Sequence, residues 1–262
     1  QCYIGGAIGA LAQVHLYPLT PRTDFLLELG ELPADVLRRT RIAFLNYPNN
    51  PTSAIAPRDY LERTVAICRE FGILLVYDNP YVEITYDGYR APSIFEVDGA
   101  REVAMEFHSL SKSFTLTGWR LGWVVGSADL VAALTKVKNY YDTGPFLAIQ
   151  AAGAAVLDHA EELVQPVVAR YLARRDVAIR ALGKAGFAAP VPKGTLYHWV
   201  PLPRGVKSAD FATAAMEEEG VVLLPGSAFG ASAEGFFRLA LTAPEPRLEE
   251  AIGRLGKVFA RA

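Results

Sequence analysis

Apolar runs of strand length alternate with stretches of helical periodicity through the first half of this chain. Residues 12–17 read as a strand ended by Pro18. Residues 41–46 read as another, running into Tyr47-Pro48-Asn49-Asn50-Pro51, a dense turn signal. Over 57–71 the apolar positions Leu61, Val65, Ile67 or Cys68, and Phe71 recur at helical spacing behind a proline suited to a first turn. Residues 73–76 form a continuous apolar run, as expected of a strand buried on both faces. Residues 103–107 and 121–125 are two further candidate strands. Strands separated by helices imply an α/β three-layer sandwich with a mostly parallel sheet and helices on both sides.

In such sheets ligands bind outside the carboxyl ends of the strands. Asn50, Asp78 and the run Ser109-Leu110-Ser111-Lys112 follow three successive strands and should therefore share one edge. Arg120 instead precedes its strand. The connection over 108–119 is short and interrupted by Gly118, poorly suited to a helical crossover. An antiparallel return over 121–125 brings Arg120 back to the same edge.

From residue 128 to 182 the pattern is helical, with one break at Asp142-Thr143-Gly144-Pro145, and 160–182 reads as one long helix linking two domains. Beyond Gly186 come a strand over 195–200, a helix over 208–218, strands over 221–224 and 236–241, and a helix over 246–259. That is a smaller C-terminal α+β unit. A boundary near residue 160 divides a large domain, 1–160, from a small one, 161–262. Gly5-Gly6-Ala7 reads as the opening of a helix with no leader before it, so the chain is expected to lack its beginning.

Composition narrows the function classes. The 262 residues are 51% hydrophobic and 21% charged with a net charge of −2, which makes no electrostatic case for nucleic acid or an anionic membrane. Cys2 and Cys68 cannot form a disulfide framework. The four histidines lack metal-ligand spacing. The longest apolar stretch, 4–12, is about half of the roughly 20 residues that span a bilayer. A cytoplasmic enzyme acting on small molecules is the expectation.

Lys112 is the residue around which a chemistry assembles. A lone lysine is ordinarily a solvated charge; at a strand end, in Ser-x-Ser-Lys, it is a candidate nucleophile. Such a lysine must be deprotonated, which partial burial and a neighbouring cation favour, and Arg120 supplies the cation. The run also fits the acylating-serine motif S-x-x-K. That reading needs S-D-N, which is absent, and K-T-G, whose place is taken by Lys193-Gly194-Thr195 in the wrong order. Asp78 after an apolar run is commonly a cap or turn residue; with Tyr81 three residues on, it is also a carboxylate able to hold a pyridine nitrogen protonated. Asn50 can be a turn residue before Pro51 or a ring-hydroxyl ligand. Arg238, flanked by Phe237 and Leu239 on an apolar strand, must find an anion: a structural carboxylate, or a substrate carboxylate held bidentately. Tyr197 and Trp199 read as core. Together these residues describe a pocket for pyridoxal 5'-phosphate, which needs a lysine imine and an acid at its ring nitrogen.

The ordered set Asn-Pro-Thr, Asp-x-x-Tyr, Ser-x-Ser-Lys, Gly-x-Arg-x-Gly and a late arginine resembles the fold-type-I pyridoxal-phosphate enzymes of the class I/II aminotransferases. Residues 47–52, 106–112 and 225–230 look closest to the LL-diaminopimelate aminotransferase-like branch. The resemblance implies that Lys112 forms the Schiff base and shuttles the proton. It further implies that Asp78 pairs with the ring nitrogen, that Asn50 and Tyr81 bond the ring oxygen, and that Ser109, Ser111 and Arg120 hold the phosphate. Arg238, with Asn50, then receives the substrate α-carboxylate. Amino transfer between an amino acid and a 2-oxo acid by a homodimer is the implied function. A C–S β-lyase or an inactive folded fragment are the alternatives. Two departures stand out: Ser53 occupies the place of the usual glycine after Asn-Pro-Thr, and the family's phosphate-binding turn, ring-stacking aromatic and N-terminal arm have no counterpart.

Overall fold

A computed structural model describes residues 2–261. Helices α1 (Cys2–Gly9) and α2 (Ala34–Arg39) precede a four-stranded sheet of β1 (Ile42–Asn46), β2 (Leu74–Asp78), β3 (Ala104–Ser109) and β4 (Gly122–Gly126), in that spatial order. The first three strands are parallel, and β4 runs antiparallel to β3 with Ser109 opposite Gly122. Asn46, Asp78 and Ser109 therefore end their strands, and Gly122 begins its own, along a single edge. The expected reversal follows from the connection, which is too short for a crossover and can only fold back.

Helix α3 (Arg58–Phe71) buries Tyr60, Leu61, Val65 and Cys68 against Ala43, Leu45, Leu75 and Tyr77 on one face of the sheet. Burial of apolar side chains of this size is worth about 1.5–3 kcal/mol each, which fixes the alternation of β1 and β2. On the other face Tyr3 of α1 stacks on Phe44 at a centroid distance of 4.7 Å. That layer is thin, and Ile42 remains 48% exposed.

Short helices α4 (Ala100–Val103) and α5 (Leu110–Ser113) flank β3, and α6 (Ala128–Tyr141), α7 (Leu147–Asp158) and α8 (Ala160–Lys184) follow β4. The expected break at 142–145 is present; a second, at His159, divides α7 from α8. The smaller sheet is antiparallel, in the order β5 (Tyr197–Pro201), β7 (Phe236–Ala240), β6 (Leu224–Pro225). With α8, α9 (Ser208–Glu219) and α10 (Glu245–Phe259) it encloses a core that includes Leu182, Phe211, Phe237, Ile252 and Leu255. Tyr81, Ile84 and Tyr86, from the segment after β2, belong to that same core. Residues just past the large sheet's edge are thus packed directly onto the small unit. Among the described residues no helix is long and apolar enough to cross a membrane.

Three local expectations are corrected. Residues 12–17 are not a strand: they have no ladder partner, Leu16 is 69% exposed, and an unpaired edge gives backbone groups nothing but water. Over 221–224 only Leu224 joins the sheet, because the Val221 N–H still returns to the Ala215 carbonyl as α9 unwinds. The strand expected from 195 begins at Tyr197, because Thr195 is left-handed, at φ 68°.

At the edge itself, a Cβ placed on Gly122 would lie 2.6 Å from the His108 carbonyl oxygen. Gly122→Ala must push β3 and β4 apart and is expected to lower the unfolding free energy by about 1–3 kcal/mol, measured from urea denaturation curves.

Candidate active site

The exit of β1 is organised by its own amides. Asn46 donates from Nδ2 to the Asp78 carbonyl at 2.7 Å and accepts the Asn50 N–H on Oδ1 at 2.9 Å. Asn49 accepts the N–H and the hydroxyl of Thr52 at 3.1 and 2.7 Å and donates to the Asn46 carbonyl at 3.0 Å. Side-chain amides closing on nearby backbone are how Asn-rich turns are held. Asn50 is consequently presented in one pose, and its Oδ1 accepts from Arg238 Nη1 at 2.8 Å across 188 residues of sequence. Ser53, three residues on, is left-handed at φ 60°, which accounts for the glycine usual at that place.

Asp78 ends β2 half-buried. Burial raises its carboxyl above the ordinary value of 3.8, opposed by a hydrogen bond from the Tyr3 hydroxyl to Oδ2 and by the proximity of His108. No cation is ion-paired to it among the described residues. Tyr81 is buried with its ring edge-on to Tyr197 at 5.9 Å, and burial drives its phenol well above the usual range. The Arg238 guanidinium lies 4.2 Å over the Tyr197 ring and 5.2 Å over that of Phe229. Tyr197 and Trp199 are core residues as expected, yet Tyr197 also serves as the platform for Arg238. The structural carboxylate considered for Arg238 is not there: among the described residues its partners are an amide oxygen and two aromatic faces.

Lys112 lies on the single turn of α5. Ser109 caps that turn, its Oγ accepting the Ser111 N–H at 3.1 Å, and the Thr117 hydroxyl donates to the Ser111 carbonyl at 2.9 Å. The Leu110 N–H donates to the Leu121 carbonyl at 3.1 Å, tying the turn to the start of β4. Lys112 is half-buried, and its side chain has no hydrogen-bond or ion-pair partner among the described residues. Ser109, Ser111 and Lys112 are thus gathered on one turn. Arg120 reaches the same edge, but it is exposed, left-handed at φ 53°, and donates from Nη1 to the Thr117 carbonyl at 2.9 Å.

Behind this edge stands a buried carboxylate that sequence reasoning passed over. Glu106 accepts from Asn79 Nδ2 at 2.8 Å, the Ser93 hydroxyl at 2.5 Å and the Ile94 N–H at 3.0 Å, with His108 Nε2 at 3.3 Å. Burial pushes this carboxyl up, but the bonds from His108, Ser93 and Asn79 outweigh it and hold it below the ordinary value. His108 in turn stacks on Trp123 at 5.2 Å. Asn46 and Tyr3 were missed as well. The four-residue spacing of Asn46 and Asn50 around a turn was a usable signal; nothing local marks Tyr3, which meets Asp78 across 75 positions.

A mostly parallel sheet, a lysine-bearing turn after its third strand and an acid at the end of its second are the arrangement of a fold-type-I pyridoxal-phosphate protein. The model of the family "Aminotransferase class I and II" matches residues 2–255, and the chain belongs to that family. It is 43% identical over 256 residues to the LL-diaminopimelate aminotransferase of Moorella thermoacetica, covering 98% of this chain and 66% of that protein. Against the LL-diaminopimelate aminotransferase of Desulforudis audaxviator it is 45% identical, covering 97% and 64%. Among solved structures, the probable N-succinyldiaminopimelate aminotransferase from Thermus thermophilus superposes with a TM-score of 0.91 at 38% identity, over 98% of this chain and 68% of that one. BacF from Bacillus subtilis gives 0.93 at 29%, over 98% and 66%. The chain spans 66% and 64% of the lengths of the first two relatives.

The raised carboxyl of Asp78 carries a stability consequence. A group whose folded-state pKa is raised favours folding while protonated, and that contribution is lost as pH climbs from its unfolded value through its folded one. Asp78→Asn removes the charge at nearly constant shape. It is expected to raise the melting temperature of the cofactor-free protein at neutral pH and to flatten the decline in stability above about pH 4. Melting curves across that range test this, and a lower neutral-pH melting temperature in the variant would contradict it.

Proposed function

We propose that this chain is the catalytic body of a pyridoxal-phosphate-dependent aminotransferase, its large cofactor-binding and small units divided near residue 160. The observation that carries the reading is a pair of unmatched charges at one site. Asp78, a half-buried carboxylate, and Arg238, a guanidinium joined to the Asp78 edge through Asn50, have no ion-pair partner among the described residues. A buried charge without a counter-charge is unfavourable. A protonated ring nitrogen at one and a carboxylate at the other are the groups that would complete them.

The residues present fit the cofactor. Asp78 would hold the ring nitrogen, Asn50 and Tyr81 the ring oxygen, and Ser109, Ser111 and Arg120 the phosphate, with Lys112 as the covalent anchor. Bound there, pyridoxal phosphate supplies an aldehyde that accepts the amino group and a ring that withdraws electrons. The chain's own residues do the rest. Arg238 binds the α-carboxylate and, held by Asn50, orients the substrate. Lys112, on its capped turn, takes and returns the proton at the substrate Cα as general base and acid. Asp78 keeps negative charge beside the nitrogen, an interaction that matters most as electron density builds on the ring.

The relatives' names suggest LL-diaminopimelate as the amino donor, with 2-oxoglutarate as acceptor. We place the protein in the cytoplasm as a homodimer; the exposed apolar residues Tyr140, Tyr141, Phe146 and Leu147, close together in sequence, support a partner surface. The decisive assay supplies cofactor, LL-diaminopimelate and 2-oxoglutarate. Glutamate should form one for one with the keto product of the donor, whereas a β-lyase would release pyruvate and ammonia from a β-substituted amino acid instead. Borohydride reduction of the loaded protein followed by peptide mapping should place the adduct on Lys112, and Lys112→Ala should abolish it without loss of fold. An adduct on another lysine refutes the assignment.

A lysine cannot present the two parallel donors of a guanidinium. Arg238→Lys is therefore expected to raise KM for amino donors and 2-oxo acids alike by roughly tenfold to a hundredfold, the range for losing a charge-assisted bond. A loss confined to one substrate side chain would make Arg238 a specificity residue only.

A further inference from the structure

Two hydroxyl residues in unfavourable backbone conformations face each other across the two units. Ser53 (φ 60°) lies in the loop that carries Asn50, and Thr195 (φ 68°) lies just before β5. The left-handed region is uncommon for any residue with a Cβ and a true outlier for a β-branched one. Such strain persists only where surrounding structure imposes it. Both side chains are buried, and their bonds form a closed ring. The Ser53 hydroxyl donates to the Tyr197 carbonyl at 2.7 Å, which uses its single proton. Thr195 is then the donor in the 2.9 Å contact between the two hydroxyls, with the Tyr197 carbonyl a longer alternative acceptor at 3.5 Å, and its oxygen accepts the Tyr197 N–H at 3.1 Å.

The ring leads into the candidate site from both ends. On one side Ser53 is fixed to Asn49 by its N–H, at 2.9 Å, in the same self-bonded loop that presents Asn50. On the other, Tyr197 bears the Arg238 guanidinium on its ring, and Arg238 sits on the neighbouring strand opposite Trp199. The Asn50–Arg238 bond is a second link between the same two bodies.

We infer that Ser53 is a positioning residue: its hydroxyl clamps the start of β5 to the Asn50 loop and so sets where Arg238 stands relative to the cofactor-side edge. A glycine at this place would accept the backbone geometry but could not make the clamp. The inference rests on the aminotransferase reading only for its effect on substrate, because the clamp itself is a property of the protein without ligand.

The test compares wild type with Ser53→Ala, which keeps Cβ and loses the hydroxyl, and Ser53→Gly, which loses both and relieves the backbone. In each variant, amide exchange over 195–201 and 236–240 should accelerate in the cofactor-free protein. In the loaded protein, KM for donor and acceptor should rise together between about twofold and tenfold, the range one net hydrogen bond allows, with kcat and cofactor affinity little changed. Unchanged exchange overturns the clamp. Faster exchange with unchanged KM, or a lowered melting temperature alone, shows a merely structural residue. Impairment in Ser53→Ala that Ser53→Gly does not share assigns the effect to backbone strain and overturns the role of the hydroxyl. If wild type transfers no amino group, the aminotransferase reading falls while the exchange measurement still decides the clamp.

Discussion

Parallel pairing of β1, β2 and β3 is the constraint on which the rest of this protein hangs. Parallel strands bring their carboxyl ends to one side, so Asn46 beside Asp78, and Ser109 one strand farther, are neighbours by register before any side chain makes a choice. The antiparallel return of β4 then adds the Arg120 turn to that edge. Helix α3 supplies the energy, through the apolar face it buries, but the edge supplies the address. Polar residues accumulate there because the sheet ends and backbone groups need new partners.

Electrostatics at the edge are arranged in two depths. Glu106 is wholly buried and saturated with donors, and it behaves as part of the framework. Asp78 is shallower, with one donor from Tyr3, and burial leaves its charge under-compensated. Two carboxylates on neighbouring strands are thus pushed in opposite directions by their surroundings alone. The difference separates a carboxylate saturated with donors from one that has no ion-pair partner among the described residues.

How far all this was readable from the sequence depends on the range of each interaction. The strands β1 to β4 were legible because each is an apolar run bounded by local turn residues, and the shared edge followed from one short connection. The positions of Lys112, Asp78 and Asn50 beside that edge were legible because strand ends are marked locally. Residues 12–17 show the limit: an apolar run specifies a strand only when a partner is present to pair with it. The Asn50–Arg238 bond and the Ser53–Thr195–Tyr197 ring join residues more than 140 positions apart. Their existence depends on how distant parts of the chain pack together, and no pattern within either segment encodes that. Arg238 shows the same point chemically: the sequence demanded a partner for it, and the carboxylate considered there proved to be an amide and two ring faces.

The setting of Arg238 has a consequence for which anions can reach it. The guanidinium carbon lies close to the rings of Tyr197 and Phe229, and one of its nitrogens, Nη1, already donates to Asn50, so a ligand must use the N–H groups that remain. An acceptor approaching along the rim must lie in the plane of the guanidinium to engage two N–H groups. Two aromatic rings and one amide oxygen therefore leave a ligand fewer directions of approach to this guanidinium than an isolated one would offer.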